Sequence, residues 1–169
     1  NALDFGDRTT GGFSLGAVNS TIRSIAAGGS NPGSINIIDF VIMSTLGNSV
    51  DFGDLTLASR PGGASACSST RGVIPLGYFT PGAAGNRIDF ITMTTTGNAQ
   101  DFGDLTQSRQ QACGMSSPTR GVFAAGMTPS IVNTIDHVEI ATTGNAVDFG
   151  DTGSDFSMRA GISNGHGGL

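Results

Sequence analysis

Four Asp-Phe-Gly-Asp tetrapeptides, at 4–7, 51–54, 101–104 and 148–151, hold eight of the twelve aspartates in this chain of 169 residues. Three chemistries fit such a set. An Asp-Phe-Gly triplet holds magnesium in phosphotransferases, but that chemistry also needs a glycine-rich phosphate loop, a His-Arg-Asp loop and a lysine. The sequence has none of these, and no lysine anywhere. Paired carboxylates beside backbone carbonyls suit a hard cation. That makes Asp51, Asp54, Asp101, Asp104, Asp148 and Asp151 candidate calcium ligands, although their spacing is neither that of an EF-hand loop nor that of a GGxGxD nonapeptide. The third chemistry is mechanical. The first Asp accepts a backbone N–H within a turn, Gly takes a positive φ, and Phe anchors the corner in the core. On that reading Asp4, Phe5, Gly6, Phe52, Gly53, Phe102, Gly103, Phe149 and Gly150 are structural turn residues.

The other charges also recur. Asp39, Asp89 and Asp136 share one column; Arg23, Arg71 and Arg120 share a second; Arg60, Arg109 and Arg159 share a third. A catalytic group is needed once, so charges repeated at a fixed period read as scaffolding, in hydrogen bonds and ion pairs within a unit. His137 stands where Phe40 and Phe90 stand in earlier copies, and His166 lies in a glycine-rich tail. Two isolated histidines do not make a metal site, and there is no Gly-x-Ser-x-Gly elbow. No residue is assigned to catalysis or to a cofactor. Cys67 and Cys113 read as small buried apolar side chains, with a disulfide between them left open. Asn19-Ser20-Thr21 fits a glycosylation triplet.

The elements that position these residues come from an internal repeat. The tetrapeptide phenylalanines Phe5, Phe52, Phe102 and Phe149 are spaced by 47, 50 and 47 residues. Ahead of each later copy lie the same blocks in the same order. One is "TIRSIAAGG" (21–29), "STRGVIPLGY" (69–78) or "PTRGVFAAGM" (118–127). Next comes "NIIDFVIM" (36–43), "NRIDFITM" (86–93) or "NTIDHVEI" (133–140). A turn follows: "TLGNSV" (45–50), "TTGNAQ" (95–100) or "TTGNAV" (142–147). The β-branched and aromatic blocks predict strands, and Gly-Asn predicts the turn of a hairpin that returns through the tetrapeptide. The small-residue stretch at 62–69 is a candidate fourth, inner strand. No window shows helical periodicity. The expected fold is all-β, a tandem array of four-stranded antiparallel units in one repeat domain over 1–169. The units are placed at about 8–54, 55–104 and 105–151, with partial units at 1–7 and 152–169.

A unit of this length with a Gly-ended strand, an Asn-x-Ile-Asp strand and an aromatic strand resembles a kelch-type β-propeller blade. The alternatives are a pseudo-threefold β-prism or another β-repeat array. Ser49, Asp51 and Gly53 of "SVDFGDL" also resemble the Asp-box turn of sialidase-like propellers, a structural turn. The whole run, TRGV…IDFITM…TTGNAxDFGDLT, resembles a tandem repeat of structural and tail-fibre proteins of aquatic bacteriophages, cyanophage-like. That resemblance implies a virion or extracellular fibre component.

Composition narrows the partners. A net charge of -5 argues against nucleic acid, and the apolar runs are too short to span a membrane. With no leader or initiator Met in view, the chain reads as processed or as a piece of something longer. The N-terminal segment reads as a last strand and the C-terminal segment as an early one, so self-association or a neighbouring repeat chain is expected to complete them. The expected function is a non-enzymatic structural or adhesive module of a virion appendage or extracellular filament, self-assembling through repeat edges and contacting host-surface glycans. The alternative is a soluble, lectin-like carbohydrate-binding propeller, which would carry pockets between units with aromatic residues repeated in register.

Overall fold

The computed structural model of the protein describes residues 2–79, 82–157 and 161. Arg159, His166 and most of the partial unit at 152–169 lie outside the described residues. Fourteen strands follow one another: β1 (Gly16–Asn19), β2 (Arg23–Ala27), β3 (Ile35–Ile42), β4 (Val50–Arg60), β5 (Ala66–Cys67), β6 (Arg71–Pro75), β7 (Tyr78–Phe79), β8 (Ala83–Ala84), β9 (Arg87–Thr92), β10 (Gln100–Asp104), β11 (Cys113–Ser116), β12 (Arg120–Thr128), β13 (Ser130–Glu139) and β14 (Val147–Asp151). No helix occurs among the described residues, so none is long and apolar enough to cross a membrane.

The strands form three sheets. Sheet I is β1-β2-β3-β4 extended by β7-β8, sheet II is β10-β9-β6-β5 and sheet III is β11-β12-β13-β14. Every pairing between these strands is antiparallel, as short polar turns between consecutive strands dictate. The expected all-β class of four-stranded antiparallel units is therefore what forms. The small-residue stretch at 62–69 supplies β5, a first strand of two residues. One feature lies outside the repeat. The "YF" of β7 leaves sheet II and pairs Ser59 with Phe79 and Arg60 with Tyr78 on β4, and β8 pairs beyond it.

The sheets stack face to face. Val18, Ile25, Ile38 and Phe52 of sheet I share one apolar core with Ile74, Leu76, Ile91 and Met93 of sheet II. Val73, Ile88, Phe90 and Phe102 on the other face of sheet II share a second core with Phe123, Val138 and Ile140 of sheet III. Sheet II is thus covered on both faces, which is why "RGVIP" and "RIDFIT" are buried almost throughout and their burial does not alternate. The first strands lie side by side at one edge of the stack. A Cβ on Gly114 would strike the Ser65 backbone, and one on Gly161 would strike the Gly114 carbonyl. Cys67 and Cys113 are both free thiols and both buried, and burial pushes the Cys113 thiol above its usual value.

Candidate functional site

In each repeat the tetrapeptide is a β-bulge. Opposite β9, Asp101 pairs with Asp89 and Gly103 pairs with Ile88, so Phe102 is an extra residue. The same shift falls between Asp51 and Gly53 on β4 and between Asp148 and Gly150 on β14. A bulge inserts one residue and re-aims its side chain; here it drives Phe52 and Phe102 into the cores between sheets. In three of the four copies the first Asp stabilises the bend. Gly6, Gly103 and Gly150 each donate their N–H to the carboxylate two residues earlier, at 3.1 Å.

The glycine has a second job. Its φ is near +140° at Gly6, Gly53 and Gly103, a region that strains any side chain. A Cβ there would meet the backbone of Gly47, Gly97 and Gly144 respectively, at 2.5 Å for the last two. The bulge of one sheet is pressed against the Gly-Asn turn of the next, and the pair is laced by hydrogen bonds. Gly97 donates to the Phe52 carbonyl at 2.7 Å and Ala99 to that of Asp54 at 2.8 Å; Asp54 donates in turn to Asn98 Oδ1 at 3.0 Å. Gly144, Ala146 and Asn145 repeat this with Phe102 and Asp104, at 2.8, 2.8 and 3.1 Å. Gly47, Ser49 and Asn48 repeat it with Phe5 and Asp7, at 2.8, 2.8 and 3.0 Å. Each such bond contributes about 1 kcal/mol net. This clasp is the recurring structural element of the repeat, and among the described residues it is made three times.

The aspartate column closes the clasp. Asp39, Asp89 and Asp136 are buried, and each accepts the backbone N–H and the hydroxyl of a threonine just past the tetrapeptide that clasps its sheet. Thr9 reaches Asp39, Thr56 reaches Asp89, and Thr106 reaches Asp136, the hydroxyl bonds being 2.7, 2.7 and 2.6 Å. Each carboxylate also has a cation: Arg8 at 2.9 Å, Arg87 at 3.4 Å and Arg109 at 3.0 Å. Burial raises the Asp89 carboxyl above its ordinary value, against the pull of the Thr56 bonds and of Arg87. Arg109 is buried with Asp136, and burial lowers its guanidinium below the usual range while Asp136 offsets part of that shift.

Two arginines of the second column, Arg23 and Arg71, cross between sheets as well. Arg23 lies over the Phe40 ring at 4.6 Å and donates to the Met93 carbonyl of sheet II; Arg71 lies over Phe90 at 4.4 Å and donates to the Ile140 carbonyl of sheet III. Bonds confined within a unit were expected of these columns. Asp39, Asp89 and Asp136 take their threonine and arginine partners from within 8–54, 55–104 and 105–151 respectively, whereas Arg23 and Arg71 reach a carbonyl of the following unit. The third column splits: Arg109 meets Asp136, whereas Arg60 lies over Tyr78 at 5.0 Å, drawn off by the β7 insertion.

The candidate cation ligands are not gathered. Asp101 faces Arg87 at 3.6 Å, Asp54 and Asp104 are tied through their backbone to asparagines, and among the described residues no three His, Cys, Asp or Glu side chains come together as a metal group. His137 packs edge-on to Phe149, with ring centres 5.6 Å apart. Sequence reasoning passed over Asn48, Asn98 and Asn145, read only as turn formers, and Thr9, Thr56 and Thr106. Their recurrence at a fixed offset from the tetrapeptide was the available signal.

Two cavities sit in register beneath the Gly-Asn turns. One of about 210 Å³ is lined by Phe90, Thr92, Thr95, Asn98 and Gln100. The other, of about 170 Å³, is lined by Phe102, His137, Glu139, Thr142 and Asn145. No protein-family model matches this chain, and no curated protein matches it either.

Proposed function

We propose that this chain is a structural or adhesive module of a virion appendage such as a tail fibre, or of an extracellular filament, that its sheets are kelch-like propeller blades, and that it self-assembles through its repeat edges. The clasp carries the reading. The recurrent asparagines and threonines, the buried aspartate column, Arg23 and Arg71 hold one sheet or segment to the next, which is the use a scaffold makes of charge. The blade assignment is supported by four-stranded meanders stacked face to face with their short first strands together. In this reading the module is not an enzyme and works on the virion or outside the cell. Solution mass and negative-stain microscopy test it: closed oligomers or filaments are expected, and a monodisperse single chain at every concentration overturns self-assembly.

One observation favours a second reading, a lectin-like propeller. The two cavities repeat in register, and each combines an aromatic ring with threonine and asparagine groups, the mixture that orients a sugar face. A glycan array decides it, and an array without a binder removes this reading.

A further inference from the structure

Among the described residues three tetrapeptides are clasped and the fourth, on β14, is not. Phe149 is 55% exposed, where Phe52 and Phe102 are 2% and 3%. Nothing lies within 4 Å of where a Cβ on Gly150 would stand, whereas Gly53 and Gly103 abut a following turn. Arg120 shows the same difference. Arg23 and Arg71 donate to a carbonyl on the next sheet; Arg120 turns instead to Glu139 on its own sheet, at 3.1 Å, with both side chains exposed. At the other end of the stack, Met43 is 41% exposed, while its equivalents Met93 and Ile140 are each 1% exposed. The turn beside Met43 is clasped by a segment at 4–9 that belongs to no strand.

We propose that these two faces are partners, so that the Phe149 face of sheet III docks on the Met43 face of sheet I of a second copy of this chain. This rests on the self-assembling reading above. What specifies a second copy is that the joint already exists twice inside the molecule, between sheets I and II and between sheets II and III. The same register would place the Gly47 N–H against the Phe149 carbonyl, the Asp151 N–H against Asn48 Oδ1 and the Arg120 guanidinium against the Met43 carbonyl. Residues 4–9 hold the same seat, so they act as an intramolecular stopper that β14 of the second copy must displace. The stopper is a strong competitor. Arg8 and Thr9 both bind Asp39, whereas the fourth tetrapeptide is followed by Thr152-Gly153 in place of Leu-Thr and brings no hydroxyl to that carboxylate. The joint is therefore weaker than the internal ones, and reversible. It is also head-to-tail, so it closes into a ring or runs on as a filament.

Light scattering and sedimentation over a dilution series test the joint, on the full chain and three variants. Deleting residues 1–9 removes the stopper and is expected to strengthen association by about tenfold or more. Phe149→Asp, at an exposed position, is expected to weaken it by at least about tenfold. Ile131→Asp, exposed at the β12–β13 tip, is expected to leave it unchanged. Association indifferent to both Phe149→Asp and the deletion overturns this joint and leaves the self-assembling reading standing. A chain that stays single in every variant overturns both.

Discussion

Asp89 illustrates how one side chain is set by its neighbours. Burial raises its folded-state pKa, so the folded protein holds the proton more tightly than the unfolded chain does. Its contribution to stability is complete below the ordinary value of 3.8 and is lost as pH rises through the folded-state value. Asp89→Asn cannot titrate. The parent chain should therefore gain stability relative to this variant as pH falls from neutral towards 3.8, and denaturant unfolding at a series of pH values checks it. A difference flat with pH would sink the assignment. Asp136 has another role, as the counter-charge of a buried guanidinium. Asp136→Ala strands Arg109 and should cost about 3–5 kcal/mol, against about 1–2 kcal/mol for Thr106→Val, which removes one hydroxyl from the same carboxylate; equal costs would contradict this ordering. Since no three His, Cys, Asp or Glu side chains gather as a metal group among the described residues, EDTA should leave the melting temperature unchanged, and a fall would restore the cation reading. The repeat made the aspartate columns legible, because equivalence is a property of sequence. Which neighbour each column faces was not legible, since a period says nothing of what lies across a sheet interface.

The bulge and the turn it presses on make a sharper test, because the molecule contains its own control. Gly103 has both an unfavourable φ for a side chain and a turn backbone 2.5 Å from a Cβ; Gly150 has a φ of +131° and open space. Gly150→Ala should cost only the backbone strain, about 1–3 kcal/mol. Gly103→Ala should cost that plus the loss of the clasp, about 2 kcal/mol more. Thermal or denaturant unfolding of the two variants measures the difference, and equal losses would show that the turn contact contributes nothing. Strands, hairpins and the inner strand were readable from β-branched blocks and Gly-Asn turns. The β7–β8 excursion was not. "YF" reads as the continuation of a Gly-ended strand, and only the proximity of β4 across the interface recruits it to the other sheet.

The stack as a whole is held by neighbours only, as in other repeat arrays. Sheet II is covered on both faces, and sheets I and III on one each by another sheet. Amide exchange should therefore be slowest in β6 and β9 and fastest in residues 2–9 and 147–157, as local opening energies follow burial. Uniform protection across the three sheets would argue that the stack opens only as one body. The sequence announced the number of units through its period, but not that the outward faces differ so much from the inward ones. Phe149 and Phe102 sit in the same tetrapeptide and differ only in what stands beyond them.

The joint is written in glycine, asparagine, threonine and aspartate at fixed offsets, and in each copy two of its hydrogen bonds are backbone to backbone. Such a fitting is indifferent to the rest of the unit, so any two modules that keep those positions are interchangeable across it. Recombination between near-identical blocks that gains or loses a whole 47- or 50-residue module leaves every remaining joint intact. The reach of the array is then a matter of copy number, and its length can change in a single genetic step without redesign of any contact.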